Sequence, residues 1–136
     1  MAGTNPMNVF DVAGNAMSAQ LVRMNTAASN LANAGAVSTN EADAYRPLKA
    51  VFAQQLDRST GLSTVRVASV SRSSAAAIRQ HDPGHPLADA NGDVFAAPVD
   101  ENAEMVEMMD SSRQYQNMVE ALTTAKQLLL DTVRMK

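Results

Sequence analysis

Apolar positions along the first third of the chain recur at spacings of three and four. Phe10, Gly14, Met17, Leu21, Met24, Ala28 and Leu31 fall on one line, a seam sustained over about three heptads. The spacing predicts an amphipathic helix over Val9 to Ala32. Asn33 or Gly35 suits the left-handed position that closes a helix, and the segment GAVSTNEADAY beyond them has loop composition. The last third repeats the pattern more strongly, through Met105, Met108, Ser112, Tyr115, Val119, Leu122, Ala125, Leu129 and Val133. Asp100 or Asn102 suits its cap. A helix from there to Arg134 would be ~50 Å long at about 1.5 Å per residue, more than a small globular domain can cover.

Between these helices the period changes. RPLKAVFAQQL and STVRVASVS carry β-branched residues in short runs, Val65 and Val67 alternating with Thr64 and Arg66, which predicts short strands. HDPGHPLADANGDVFAAP is dense in turn signals, and its Asn91-Gly92 pair predicts a two-residue hairpin turn. The expected fold class is mainly α: an N-terminal helix within 1–34, a turn-rich β insertion over 35–99, and a C-terminal helix within 100–136.

Composition narrows what such a chain can do. Its 136 residues contain no Trp, three Phe and two Tyr, so most apolar volume comes from Ala, Val, Leu and nine Met. These side chains suit helix seams better than a compact core. A net charge of −3 and no Lys/Arg cluster interleaved with aromatics exclude a phosphate-binding field, so no nucleic-acid partner is expected. Cysteine is absent, which removes disulfides, thiolate nucleophiles and Cys-based zinc sites. No apolar run approaches the ~20 residues that span a bilayer. The start, MAGTNPMNVFDVAGNAM, lacks a basic region followed by an apolar run, so no cleaved signal is expected.

The chemistry-bearing residues do not converge. His81 and His85 would share a helix face, but Pro83, Gly84 and Pro86 forbid that helix, which leaves turn or surface histidines. Asp89, Asn91 and Asp93 match the first ligands of a calcium loop. Val94 stands where that loop needs glycine, and Asp100 where it needs a bidentate glutamate, so a hairpin is the simpler reading. There is no phosphate loop and no nucleophile elbow, and no general acid/base pair stands out. The expectation is no enzyme, no cofactor and no metal. Glu104, Glu107 and Asp110 near the start of the last helix read as a solvated face that complements the helix dipole.

Two long seams remain. They could pack on each other as an antiparallel hairpin within one chain, or against other chains. The longer helix has about ten residues of seam without a partner from the shorter one, which tips the balance toward an intermolecular surface. A self-contained helical hairpin acting as a soluble chaperone or adaptor is the alternative.

FDVAGNAMSAQLVRMNTAASNLANAGAV resembles the N-terminal helix and NLANA signature of the flagellar rod and hook axial proteins, and PVDENAEMVEMMDSSRQYQNMVEALTTAKQLLLDTV resembles their closing helix. The insertion after Asn33 and the DPGHPLADANGDV segment are similar to the proximal-rod branch of that family. One departure is YQNMVE, where Asn117 sits one place early and Met118 takes the usual asparagine position. The resemblance implies a structural subunit of the basal-body rod that crosses the periplasm, exported by the flagellar type III apparatus without signal cleavage. Its terminal helices would pair in a coiled-coil-like layer that lines the export channel and transmits torque. Its partners would be copies of itself and related rod subunits. The implied assembly contacts are Phe10, Met17, Leu21, Met24, Asn30, Leu31 and Asn33 on the first helix, with Met105, Met108, Tyr115, Val119, Leu122 and Leu129 on the second.

Overall fold

A computed structural model describes residues 8–136; residues 1–7, where the leaderless reading begins, lie outside the described residues. Helix α1 runs Val9–Ala32 and helix α2 runs Glu101–Arg134, the spans expected from the seams. Asn8 starts α1 through a capping box. Its Oδ1 accepts from the amides of Phe10 at 2.8 Å and Asp11 at 3.1 Å, and its own amide donates to Asp11 Oδ2 at 2.9 Å. Asp100 caps α2 by accepting from the Ala103 amide.

The end of α1 differs from expectation. Asn33 has φ −103° and ψ 6°, and Gly35 is not left-handed either. The Asn33 side-chain amide donates to the Ser29 carbonyl at 2.8 Å, and its backbone N–H reaches Ser29 and Asn30. The Ser29 carbonyl thus accepts from both the backbone and the side chain of Asn33, which folds the terminal asparagine back onto the last turn.

The helices lie side by side and antiparallel, with Arg23 of α1 reaching Glu107 and Asp110 of α2. The buried apolar positions of α1 are small residues. Ala19 and Ala27 are buried on α1, and Ser111 on α2 is 0 % exposed, its hydroxyl donating to the Glu107 carbonyl one turn back. Small side chains at these positions allow close approach of whatever packs on them. The large seam residues Phe10, Leu21, Met105 and Val119 are exposed.

The insertion forms two sheets. Strands β2 (Leu48–Leu56) and β3 (Ser63–Arg72) make a long antiparallel hairpin with a bulge at Val51/Phe52. Its loop is closed by Asp57, whose Oδ1 accepts from the Ser59 amide and hydroxyl, and by Gly61 at φ +70°. Strand β5 (Asp93–Ala96) is the centre of a small sheet between β1 (Val37–Ser38) and β4 (Ile78–His81). This sheet clasps the chain leaving α1 to the chain entering α2, and Val94 and Ala96, with Ala97 just beyond the strand, are its buried apolar residues.

Asn91-Gly92 is not a two-residue turn. The Gly92 amide donates to Asp89 O at 3.0 Å and the Asp89 amide to Asp93 O at 2.9 Å, which encloses the three residues Ala90, Asn91 and Gly92. Gly92 has φ +78° while Asn91 has no positive φ, so the mirror-image turn expected of Asn-Gly is ruled out. The Asp89 carboxylate accounts for the difference: it accepts from the Asn91 and Asp93 amides and so favours the ordinary turn hand.

The hairpin lies lengthwise on α1. At one end the Asn30 side chain, 2 % exposed, bonds both main-chain groups of Leu48: it donates to the carbonyl at 2.9 Å and accepts from the amide at 2.7 Å. Tyr45 donates its hydroxyl to the same Asn30 oxygen at 3.0 Å. At the other end Thr64 reaches the Val12 carbonyl at 3.4 Å. The helix between Val12 and Asn30 is ~27 Å long, and the strand between Leu48 and the residue facing Thr64 spans a similar ~24 Å.

Replacing Asn30 by Ala would leave both main-chain groups of half-buried Leu48 without their partner. That should cost about 2 kcal/mol or more, since each orphaned group costs about 1–3 kcal/mol. The Leu48 amide should then exchange with solvent much faster than in the parent chain. An unchanged denaturation midpoint together with unchanged exchange would show that the contact is dispensable.

Candidate assembly surface

The two helices place the thirteen expected contact residues in three environments. Asn30 is buried and committed to Leu48. Met17, Met24, Leu31, Asn33, Met108, Tyr115 and Leu122 are half-buried, while Phe10, Leu21, Met105, Val119 and Leu129 are exposed. Met24 and Met108 come together with Met109 along an open groove between α1 and α2, rimmed by Ser112, Arg113 and Gln116. Methionines suit such a groove because their unbranched side chains adapt to a partner's shape. In the departing YQNMVE segment Met118 is half-buried and Asn117 exposed.

Beyond its pairing with α1, α2 continues without a partner among the described residues. Every residue from Lys126 onward is exposed, including Leu128, Leu129 at 53 %, Leu130 and Val133 at 72 %. An apolar run of this kind on a free helix end is a surface awaiting cover. Across the described residues no helix is long and apolar enough to cross a membrane.

The charges near the start of α2 are not simply a solvated face. Arg23 donates from Nε to Glu107 at 2.6 Å and from Nη2 to Asp110 at 3.2 Å, while Nη1 donates to Gln20 on its own helix at 2.9 Å. The hydrogen bond to Glu107 raises the Arg23 pKa above its ordinary value, assisted by the attraction of both carboxylates and the bond to Asp110. Partly exposed pairs of this sort contribute about 0–1 kcal/mol, so their main effect is to set the register of the two helices. Arg23 went unnoticed in the sequence because its partners lie more than eighty positions away.

On the small sheet, Asp93 is buried and turned toward Arg79 and His81. Arg79 Nε lies 2.7 Å from one carboxylate oxygen and His81 Nδ1 2.9 Å from the other. Asp89 is occupied by main-chain amides. Asp89 and Asp93, which partly match a calcium loop in sequence, thus hold the turn and the strand pair together, in line with the hairpin reading. Hydrogen bonds from His81, then from Arg79, hold the Asp93 carboxyl below the ordinary range.

Residues 10–37 match a family model described as flagella basal body rod protein, and residues 96–135 match one described as the C-terminal part of the flagellar basal body rod FlgEFG proteins. The two matches take in α1 with β1 at one end and α2 at the other, which defines an axial protein of the bacterial flagellum. The chain is 46% identical to the flagellar basal-body rod protein FlgC of Salmonella typhimurium over 129 residues, 93% of this chain and 95% of that one. It is 45% identical to FlgC of Escherichia coli over the same shares, and 29% identical to that of Agrobacterium fabrum over 90% of this chain and 88% of the relative. The chain belongs to the FlgC family of flagellar basal-body rod proteins. It is a structural rod subunit of the basal body, and the family is not one of enzymes.

The depressed Asp93 pKa has a definite sign. The folded chain binds fewer protons there than the unfolded one, so the contact adds stability above the ordinary Asp value of about 3.9 and loses it as pH falls through the lower folded value. Denaturation midpoints followed from pH 5 down to about 2 should therefore fall more steeply in the parent than in Asp93→Asn. Parallel curves would show that this carboxylate is not linked to folding.

Proposed function

We propose that this chain polymerises through its terminal helices, with the exposed seam residues and the free end of α2 packing against copies of itself and related rod subunits. The observation that carries this reading is the apolar run Leu128, Leu129, Leu130 and Val133 on a helix that has left its own partner behind. In the assembly α1 and α2 form a coiled-coil-like layer that lines the export channel and passes torque along the rod. Residues 35–99 stand outside that layer as an insertion. Asn33, bonded to Ser29 in the single chain, sits where its amide also meets a neighbouring subunit.

Delivery follows from the same economy of core. Among the described residues few large side chains are buried, Val94 being the largest apolar one wholly enclosed, so the isolated subunit is marginal. Such a chain is suited to pass unfolded through the flagellar type III export apparatus into a rod crossing the periplasm. Assembly then stabilises the folded form by mass action.

Leu129→Asp alters an exposed position and should change the stability of the isolated subunit by no more than about 0.5 kcal/mol. It should nevertheless abolish rod assembly and swimming, scored by electron microscopy of basal bodies and by motility plates. Deleting the gene should remove rod, hook and filament while the membrane ring remains. Normal rods in the Leu129→Asp strain would refute the role of the free helix end, and normal rods in the deletion strain would refute the subunit role itself.

A further inference from the structure

The last turns of α2 are exposed all round, and their side chains are sorted by direction. Ala125 is the last half-buried position, and beyond it Leu128, Leu129, Leu130 and Val133 are all exposed. Successive residues of a helix turn by about 100°, so Leu128 and Leu130 sit about 160° apart, on opposite flanks. On one side of the axis Leu129 and Val133 fill the arc between them. On the other side Asp131, Gln127 and Arg134 fill it. The apolar arc is thus about 200° wide, twice the stripe of about 100° that one packing contact covers. A single neighbour leaves half of it bare, whereas a neighbour on each flank covers it.

The two flanks differ in charge. Asp131 lies about 60° from Leu128, which gives the first flank an acidic edge. Arg134 and Lys126 each lie about 40° from Leu130, one on either side, which gives the second flank basic edges. Among the described residues none of these three charges forms an ion pair. Asp131 Oδ1 accepts from the Gln127 side-chain amide at 2.9 Å, which holds the carboxylate on the polar side. Leu128, Leu130, Asp131 and Arg134 all fall within about 9 Å along the axis. Two copies of this end laid side by side and parallel therefore match, apolar centre on apolar centre and acid toward base. The contact joins unlike flanks, so a third copy adds to the second as the second did to the first.

Resting on the polymerisation reading above, we infer that the last turns of α2 lie between two further copies of this chain, the flank of Leu128 and Asp131 in each against the flank of Leu130 and Arg134 in the next. Leu129 and Val133 then share one side of the row, and Gln127 the other, which stays open to water. The direction of charge around the helix fixes which flank receives the next subunit.

The test uses the full chain, with Asp131→Arg and Arg134→Asp as separate variants, each checked by circular dichroism for parental helicity. The first makes both flanks basic, and the second puts an acid on both. Each alone should associate about fivefold or more weakly than the parent in sedimentation at low salt, with the gap narrowing at high salt. An equimolar mixture places an acid opposite a base at every contact and should recover association. The chain contains no cysteine, so single thiols report the contact directly. A short bismaleimide should join Leu128→Cys chains to Leu130→Cys chains, and should not join Gln127→Cys chains to one another. Parental association by either charge variant, no recovery on mixing, or equal joining of the Gln127→Cys chains overturns this contact while polymerisation stands. A parent chain that fails to associate at any salt overturns the polymerisation reading, and the contact with it.

Discussion

The rest of this structure depends on one buried amide. Asn30 sits at the end of α1 and bonds the carbonyl and amide of Leu48 as a neighbouring strand would, so the first residue of β2 begins its ladder on a side chain. An asparagine is the residue that can do this, since its single amide group carries both a donor and an acceptor in one plane. Tyr45 closes the remaining capacity of the oxygen, and no buried side-chain polar atom among the described residues is left without a partner. With the base of the hairpin fixed there, the long strand can only run back along α1.

The second constraint is the choice of small residues at the buried positions of the two helices. Ala19, Ala27 and Ser111 permit close approach but bury little apolar area, which at about 25 cal/mol per Å² gives the isolated pair modest stability. Larger side chains on the same helices are left half-covered or bare. A chain built for an autonomous core would do the reverse and turn Leu21, Val119 and Leu129 inward. Here folding is deliberately unfinished in the single subunit, which is the economy expected of a member of a rod.

Helix boundaries and the two long strands could be read in the sequence because each is a local property. The 3.5-residue spacing, the Asp100 cap and the β-branched runs need no knowledge of distant contacts. Which face of each helix turns inward could not be read that way. Hydrophobic spacing singled out the line from Phe10 to Leu31, whereas backbone proximity selected the adjacent line through Ala19, Ala27 and Asn30. The end of α1 and the Asn91-Gly92 turn were misread for a related reason. In both a polar side chain bonds nearby main chain: Asn33 folds back onto the Ser29 carbonyl, and the Asp89 carboxylate takes the Asn91 and Asp93 amides. Asn30 was recognised as a residue of interest, but its partner Leu48 lies across a loop with no signal of its own.

The near-equal lengths of the hairpin and the helix beneath it have a mechanical meaning. A single helix bends easily over tens of ångströms, whereas two parallel members joined at separated points resist bending through the shear of the layer between them. Leu48 on Asn30 and Thr64 on Val12 are such joints, set near the two ends of the shared span. The hairpin therefore works as a splint, and α1 keeps a straight axis and a constant pitch wherever a neighbour presses on it.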